Sequence, residues 1–185
     1  GQDILNKIDT RALAAVTKNG EILAIPGQGS YSQSVAYVFK KDLIDKYNVD
    51  YKELNTPEKL ESYLALIKEN EPDIIPLMKN AGSALNASQI KVSGAPCIRY
   101  DNDKDEFYSM YEREQWIAGL KIKKEWNDKG YFASNVLEQT DTSAEAKSGK
   151  YAVLATAGSY SEDGSKASSV YGFDCVETYV GNSLI

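Results

Sequence analysis

Thr56 to Met78 reads TPEKLESYLALIKENEPDIIPLM, and its reading sets the fold class. Thr56 suits the N-cap of a helix and Pro57 its first position, where a missing N–H costs nothing. Leu60, Tyr63, Leu64 and Ile67 then recur at helical spacing and make one apolar face. Pro72 stops the helix. Ile74 to Met78 follows at once as a buried strand, although Pro76 inside it cannot donate to a ladder. A helix feeding directly into a buried strand is the unit of an α/β protein.

The same alternation extends both ways. Asp3 to Gly20 predicts one or two helical turns, then a short helix with Ile4, Leu5, Ile8, Ala12 and Ala15 at helical spacing, closed by the turn signal Asn19-Gly20. Two strand-like runs come next, Ile22–Ile25 and Val35–Phe39, and Asp42 to Tyr47 reads as a helix. Downstream, Cys97–Tyr100 and Glu106–Met110 form the arms of a hairpin around Asp101-Asn102-Asp103-Lys104-Asp105. Arg113 to Gly130 predicts a helix with Trp116, Gly119, Ile122 and Trp126 on one face, and Gly130 fits its end. Ile117 falls off that face. Thr142 to Lys150 predicts a short helix, Tyr151–Gly158 a buried strand and Val170–Val180 another strand, with the residues between them a loop. The fold class is α/β or mixed α+β.

Composition removes several kinds of chemistry. The chain has 185 residues, a net charge of −6 and no histidine. A negative balance disfavours nucleic acid and anionic membranes as partners. Without histidine there is no Ser-His triad, and the commonest metal ligand is missing. Cys97 and Cys175 are not in a Cys-x-x-Cys pair, and two buried thiols are a simpler account of them than a disulfide. Nothing in the sequence calls for a cofactor. No apolar run approaches the ~20 residues that span a bilayer. The start at Gly1-Gln2-Asp3 and the unclosed VETYVGNSLI suggest a piece of a longer chain.

The motifs that could carry chemistry are few. Gly27-Gln28-Gly29 is half of a dinucleotide fingerprint, but Ser32 stands where the third glycine belongs and a strand follows instead of a helix, so a phosphate cradle lacks its donors. Asp101 to Asp105 alternates like a calcium loop but lacks the central glycine, and a hairpin turn accounts for it better. The scattered carboxylates read as solvated faces more readily than as a glycosidase pair. Asn86-Ala87-Ser88 matches a glycosylation sequon, which matters only in a eukaryotic secretory setting. Binding remains. Thirteen tyrosines are many, and a tyrosine offers both a flat apolar face and a hydroxyl, which suits sugars. Tyr31, Tyr160 and Tyr171 are expected in loops beside strands, where α/β proteins hold ligands.

These residues carry a resemblance. Asn19 to Met78, with its order of Asn-Gly, ILAIP, VAYVFKKDLIDKY, the Thr-Pro-Glu helix and EPDIIPL, resembles the extracellular solute-binding proteins of sugar ABC transporters. WNDKGYF, from Trp126, and SGKYAVLATAGSY, from Ser148, are similar to later parts of the same family, especially its maltose-binding-protein-like lipoproteins of Gram-positive bacteria. The resemblance implies one lobe of a two-lobed periplasmic-binding-protein-like fold, a mixed sheet flanked by helices, with residues 1–185 forming the second lobe and hinge-proximal segments near both ends. It implies a non-enzymatic protein that binds an oligosaccharide for delivery to an ABC transporter permease, is extracellular and lipid-anchored in its parent, and works with a first lobe outside this sequence. It places Gln28, Ser30 and Tyr31 at the cleft mouth, Lys79, Asn80 and Ser83 on a second wall, and Ser159 and Tyr160 at an aromatic platform. The alternatives are a fragment of a carbohydrate-active enzyme and an interaction domain without a small ligand. For Tyr160 the competing role is packing at a helix start.

Overall fold

The structure is a computed structural model that describes residues 2–27, 32–81, 90–92, 95–101, 104–155 and 160–184. It contains two compact units, Gly1–Tyr31 and Ser32–Ile185.

The first unit begins with the two expected short helices, α1 (Gln2–Leu5) and α2 (Thr10–Ala15). Asp9 caps α2 by accepting from the Arg11 N–H. The Arg11 guanidinium also bonds this carboxylate and holds its pKa down to about 2. Strands β1 (Thr17–Lys18) and β2 (Glu21–Ile22) form a hairpin. Asn19 and Gly20 both take positive φ, 54° and 83°, as a type I′ turn requires. The strand expected over Ile22–Ile25 ends at Ile22, and Leu23 and Ile25 are exposed. An apolar run alone does not make a strand, so composition overstated it.

The second unit is built on a four-stranded mixed sheet in the order β4 (Ile75–Leu77), β8 (Tyr151–Ala155), β3 (Ser32–Lys40), β9 (Cys175–Leu184). Strand β3 (Ser32–Lys40) leads into α3 (Lys41–Tyr47), and a 3-10 turn at Tyr51–Glu53 precedes α4 (Pro57–Asn70). Thr56 caps α4 through its hydroxyl, which accepts from the Lys59 N–H at 3.4 Å, and Pro57 is the first helical residue. Leu60, Tyr63, Leu64 and Ile67 are all buried, as their spacing predicts. The Tyr63 ring meets Phe39 of β3 edge to face at 5.6 Å. Burial of each such side chain stabilises the fold by about 1.5–3 kcal/mol.

Strand β4 (Ile75–Leu77) pairs parallel with β8 (Tyr151–Ala155). Strand β4 lies at the sheet edge, which explains how Pro76 is tolerated inside it. Strand β3 runs antiparallel to β8 on one side and to β9 (Cys175–Leu184) on the other, with a bulge between Val35 and Ala36. A separate antiparallel sheet holds β5 (Ile90–Val92), β6 (Ala95–Asp101) and β7 (Glu106–Ser109). The hairpin expected there is formed by β6 and β7, with Asp101 opposite Glu106. Arg113 fastens it from outside, bonding Asp101 at 2.8 Å while its guanidinium lies 3.9 Å from the Tyr108 ring centre. Strand β5 was not foreseen.

Helix α5 (Glu114–Asp128) buries Trp126 completely and turns Ile117 outward. A Schellman motif ends it: Gly130, at φ 72°, donates to Asn127 and Tyr131 to Trp126. Helix α6 (Ser143–Lys147) stops at Gly149. Helix α7 (Ser165–Tyr171) corrects the sequence reading, which made these residues loop and strand. Its only buried positions are Ala167 and Tyr171, one turn apart, too few to show a period. Gly172, at φ 84°, separates it from β9. Among the described residues no helix is long and apolar enough to cross a membrane.

Candidate functional site

The strand directions bring one set of ends together. Parallel pairing of β4 with β8, and antiparallel pairing of β3 with both β8 and β9, put four ends on one sheet edge: the C-terminal ends of β4, β8 and β9 and the N-terminal end of β3. Loops at such an edge are the usual ligand-bearing part of an α/β domain. Lys79 and Asn80 follow β4, and Tyr160 follows β8. Gln28, Ser30, Tyr31, Ser83 and Ser159 lie outside the described residues, as does the sequon at Asn86.

Tyr160 lines a cavity of about 200 Å³ with Lys52, Glu162, Glu177, Thr178 and Tyr179. Its half-buried ring meets that of Tyr179 edge to face, with centres 5.8 Å apart. Burial, and then the negative charges of Glu162 and Glu177, push the Tyr160 phenol above its ordinary pKa, so it stays a neutral donor. The opposite lip comes from the 3-10 turn. The Thr178 hydroxyl donates to the Tyr51 carbonyl, which fixes the backbone beside Lys52.

Glu177 is the most constrained group in this cavity. It is only 2% exposed. Its two carboxylate oxygens divide the donors of one residue: Oε1 accepts from Ser161 Oγ at 3.2 Å and Oε2 from the Ser161 N–H at 3.3 Å. Burial raises its pKa, and the Ser161 donors and the Ala167 N–H offset only part of that rise. Neither Glu177 nor Tyr179 was picked out from the sequence. The available signal was a glutamate inside an otherwise apolar strand, CVETYV, where a buried charge must have a reason.

Lys79 and Asn80 line a different cavity of about 540 Å³ with Lys123, Lys124, Asn127, Phe132, Val136 and Leu137. The Lys79 ammonium donates to the Gln139 carbonyl at 2.7 Å, so part of its bonding capacity is spent within the protein. Burial lowers the pKa of Lys123, which also borders this space. Phe132, Val136 and the 91% exposed Leu137 give the cavity an apolar wall.

Tyr171 is not a loop residue. It ends α7 at 8% exposure, stacks on Phe173 at 6.1 Å and donates its hydroxyl to the Ala155 carbonyl at 2.7 Å. It is part of the core. Cys97 and Cys175 are both free thiols, Cys175 buried and Cys97 partly so.

No protein-family model matches this chain. A carbohydrate ABC transporter substrate-binding protein of Streptococcus pneumoniae serotype 4 is 28% identical over 146 residues, which are 77% of this chain and 30% of that protein. The N-glycan transport solute binding protein (NgtS) of S. pneumoniae superposes with a TM-score of 0.74 at 22% identity, over 98% of this chain and 41% of its own; in complex with Man1GlcNAc it gives 0.70. The HMO-binding solute-binding protein from Bifidobacterium longum infantis gives 0.66 at 17% identity, over 98% of this chain and 41% of its own. The chain therefore spans about a third of the curated relative and two fifths of the solved ones. It is similar in sequence to that carbohydrate ABC transporter substrate-binding protein and shares the α/β fold of the solved solute-binding proteins over that part of their length.

Proposed function

We propose that this chain is one lobe of an oligosaccharide-binding protein that delivers its ligand to an ABC transporter permease and does no chemistry on it. The observation that carries this reading is the Tyr160–Tyr179 wall, set beside Lys52, Glu162 and Thr178 at the ligand-bearing edge of the sheet. An aromatic face covers the C–H side of a sugar ring, and the neighbouring charged and hydroxyl groups bond its hydroxyls. The fold is shared with a protein solved with Man1GlcNAc, which makes a mannose- and N-acetylglucosamine-containing glycan the first ligand class to test.

Lys79 and Asn80 belong to a second wall in this reading, and Gln28, Ser30, Tyr31, Ser83 and Ser159 are further candidate ligand contacts. A second lobe, supplied by the parent protein, closes over the ligand by hinge motion. The parent works outside the cell and is held to the membrane by a lipid anchor.

Half a cleft binds weakly, with about −4 kcal/mol at a millimolar constant. The test is a two-dimensional NMR titration of this chain with a glycan panel at millimolar concentration. Shifts gathered on Tyr160, Tyr179 and Asn80 are expected, with every glycan recovered uncleaved. Silence for all glycans, both here and in the full-length parent, overturns the reading. Glycan cleavage that depends on one carboxylate replaces it with the enzyme alternative.

A further inference from the structure

Helix α7 and the segment before it are tied to β9 by the Ala167 N–H, which the Glu177 carboxylate accepts, and at four further points. Two are the Ser161 donors on Glu177. The third runs from the Cys175 N–H to Ser168 Oγ at 2.9 Å, and that hydroxyl donates on to the Gly164 carbonyl at 2.9 Å. The fourth is steric: a Cβ on Gly164 would stand 2.1 Å from the Cys175 carbonyl oxygen, so only glycine lets the two backbones approach this closely. Ser161 Oγ also accepts from the Lys166 N–H at 3.2 Å, which directs its own hydrogen to Glu177. Tyr160 is the residue next to this anchor, and its ring rests on Tyr179, two positions along β9 from Glu177 and on the same strand face.

A buried carboxylate here is costly in desolvation, and an apolar side chain would pack the same strand position without that cost. A packing role alone therefore does not account for it. What the carboxylate supplies is a set of acceptors for the N–H and O–H of Ser161 and for the Ala167 N–H in the first turn of α7.

We infer that Glu177 is the positioning residue of the Tyr160–Tyr179 wall, fixing Tyr160 by gripping both donors of Ser161. The consequence for glycan affinity rests on the binding function proposed above; the consequence for Tyr160 does not. Around Glu177 stand Glu162 and Asp163 on the same segment, Tyr171 on α7, Lys52 on the 3-10 turn, and Cys175 and Tyr179 on β9.

The test uses two variants and two readouts. Glu177→Met keeps the length of the side chain and removes both acceptors. Glu177→Gln keeps one acceptor, and its amide can donate to Ser161 Oγ, so it is the conservative rescue. Ring-to-ring nuclear Overhauser contacts between Tyr160 and Tyr179, measured without ligand, are expected to vanish in Glu177→Met and to persist in Glu177→Gln. Glycan affinity is expected to fall about tenfold in the first and less than threefold in the second. Persistence of the Tyr160–Tyr179 contacts in a folded Glu177→Met overturns the inference. So does an equal loss of affinity in both variants with the contacts intact in Glu177→Gln, because Glu177 then touches the ligand itself. If neither the wild type nor its full-length parent binds a glycan, the binding proposal fails, and the ligand-free contacts still decide the role of Glu177.

Discussion

The rings of Tyr160 and Tyr179 meet at 60° with their centres 5.8 Å apart, joining the loop after β8 to the last strand of the sheet. Edge-to-face geometry leaves one face of each ring free of the other, as a stacking platform needs. Tyr160→Ala is expected to weaken glycan binding by about 1 kcal/mol, roughly fivefold, while Tyr160→Phe keeps most of it. Isothermal titration or NMR line shapes measure both. Equal loss in the two variants would show that the hydroxyl, and not the face, carries the contact.

The buried carboxyl of Glu177 makes a prediction about pH. Its pKa is higher in the folded protein than in the unfolded chain, because burial disfavours its charge. The folded state therefore binds this proton more readily. Its contribution to stability is present at low pH and is lost as pH rises through the raised folded pKa. Glu177→Gln removes that dependence. The melting temperature of Glu177→Gln minus that of the wild type is expected to be larger at pH 7 than at pH 4. A difference constant across that range contradicts the burial argument.

Gly164 sits at φ 69° with its α-carbon pressed toward the Cys175 carbonyl. Gly164→Ala brings a left-handed backbone cost of about 1–2 kcal/mol, and the clash adds to it. Urea unfolding should show at least that loss. Gly172→Ala has a similar φ, 84°, but its added Cβ meets nothing within 4 Å. It should lose only the backbone part. The gap between the two variants isolates the close approach of α7 to β9.

The two thiols should separate kinetically. Cys175 is buried, and burial pushes its pKa up to about 11, so little reactive thiolate is present at neutral pH. Cys97 is half-buried, its sulfur 3.2 Å from the Tyr111 hydroxyl. A disulfide-exchange reagent at pH 8 is expected to label Cys97 first and Cys175 only at the rate of unfolding. Two equally fast thiols would contradict the burial of Cys175.

Local rules made much of the fold readable. Thr56 and Pro57 announce α4 because a cap and a first-position proline act within one turn. Leu60, Tyr63, Leu64 and Ile67 announce its buried face because helical spacing needs no partner to be visible. Asn19-Gly20 was legible as a turn, and β6 and β7 as a hairpin, for the same reason. Helix α7 was not, since Ser165–Tyr171 offers one short, serine-rich stretch whose stability comes from its ties to β9. Tyr171 read as a loop residue only because that helix was missed.

The site divides along the same line. The sequence by itself pointed to Tyr160, because an aromatic residue after an apolar strand is a local pattern. For Glu177 it offered only a glutamate in an apolar strand, with no sign of its partner, and for Tyr179 no signal at all. Ser161 and Glu177 are separated by 16 positions, and they meet only because β9 pairs with β3 in the register that sets Val38 opposite Glu177. Spacing and capping are properties of neighbouring residues, so the sequence fixes them as it is written. Which strand face a distant carboxylate shares, and which serine it grips, depends on pairing between elements, and that was settled only when the chain packed.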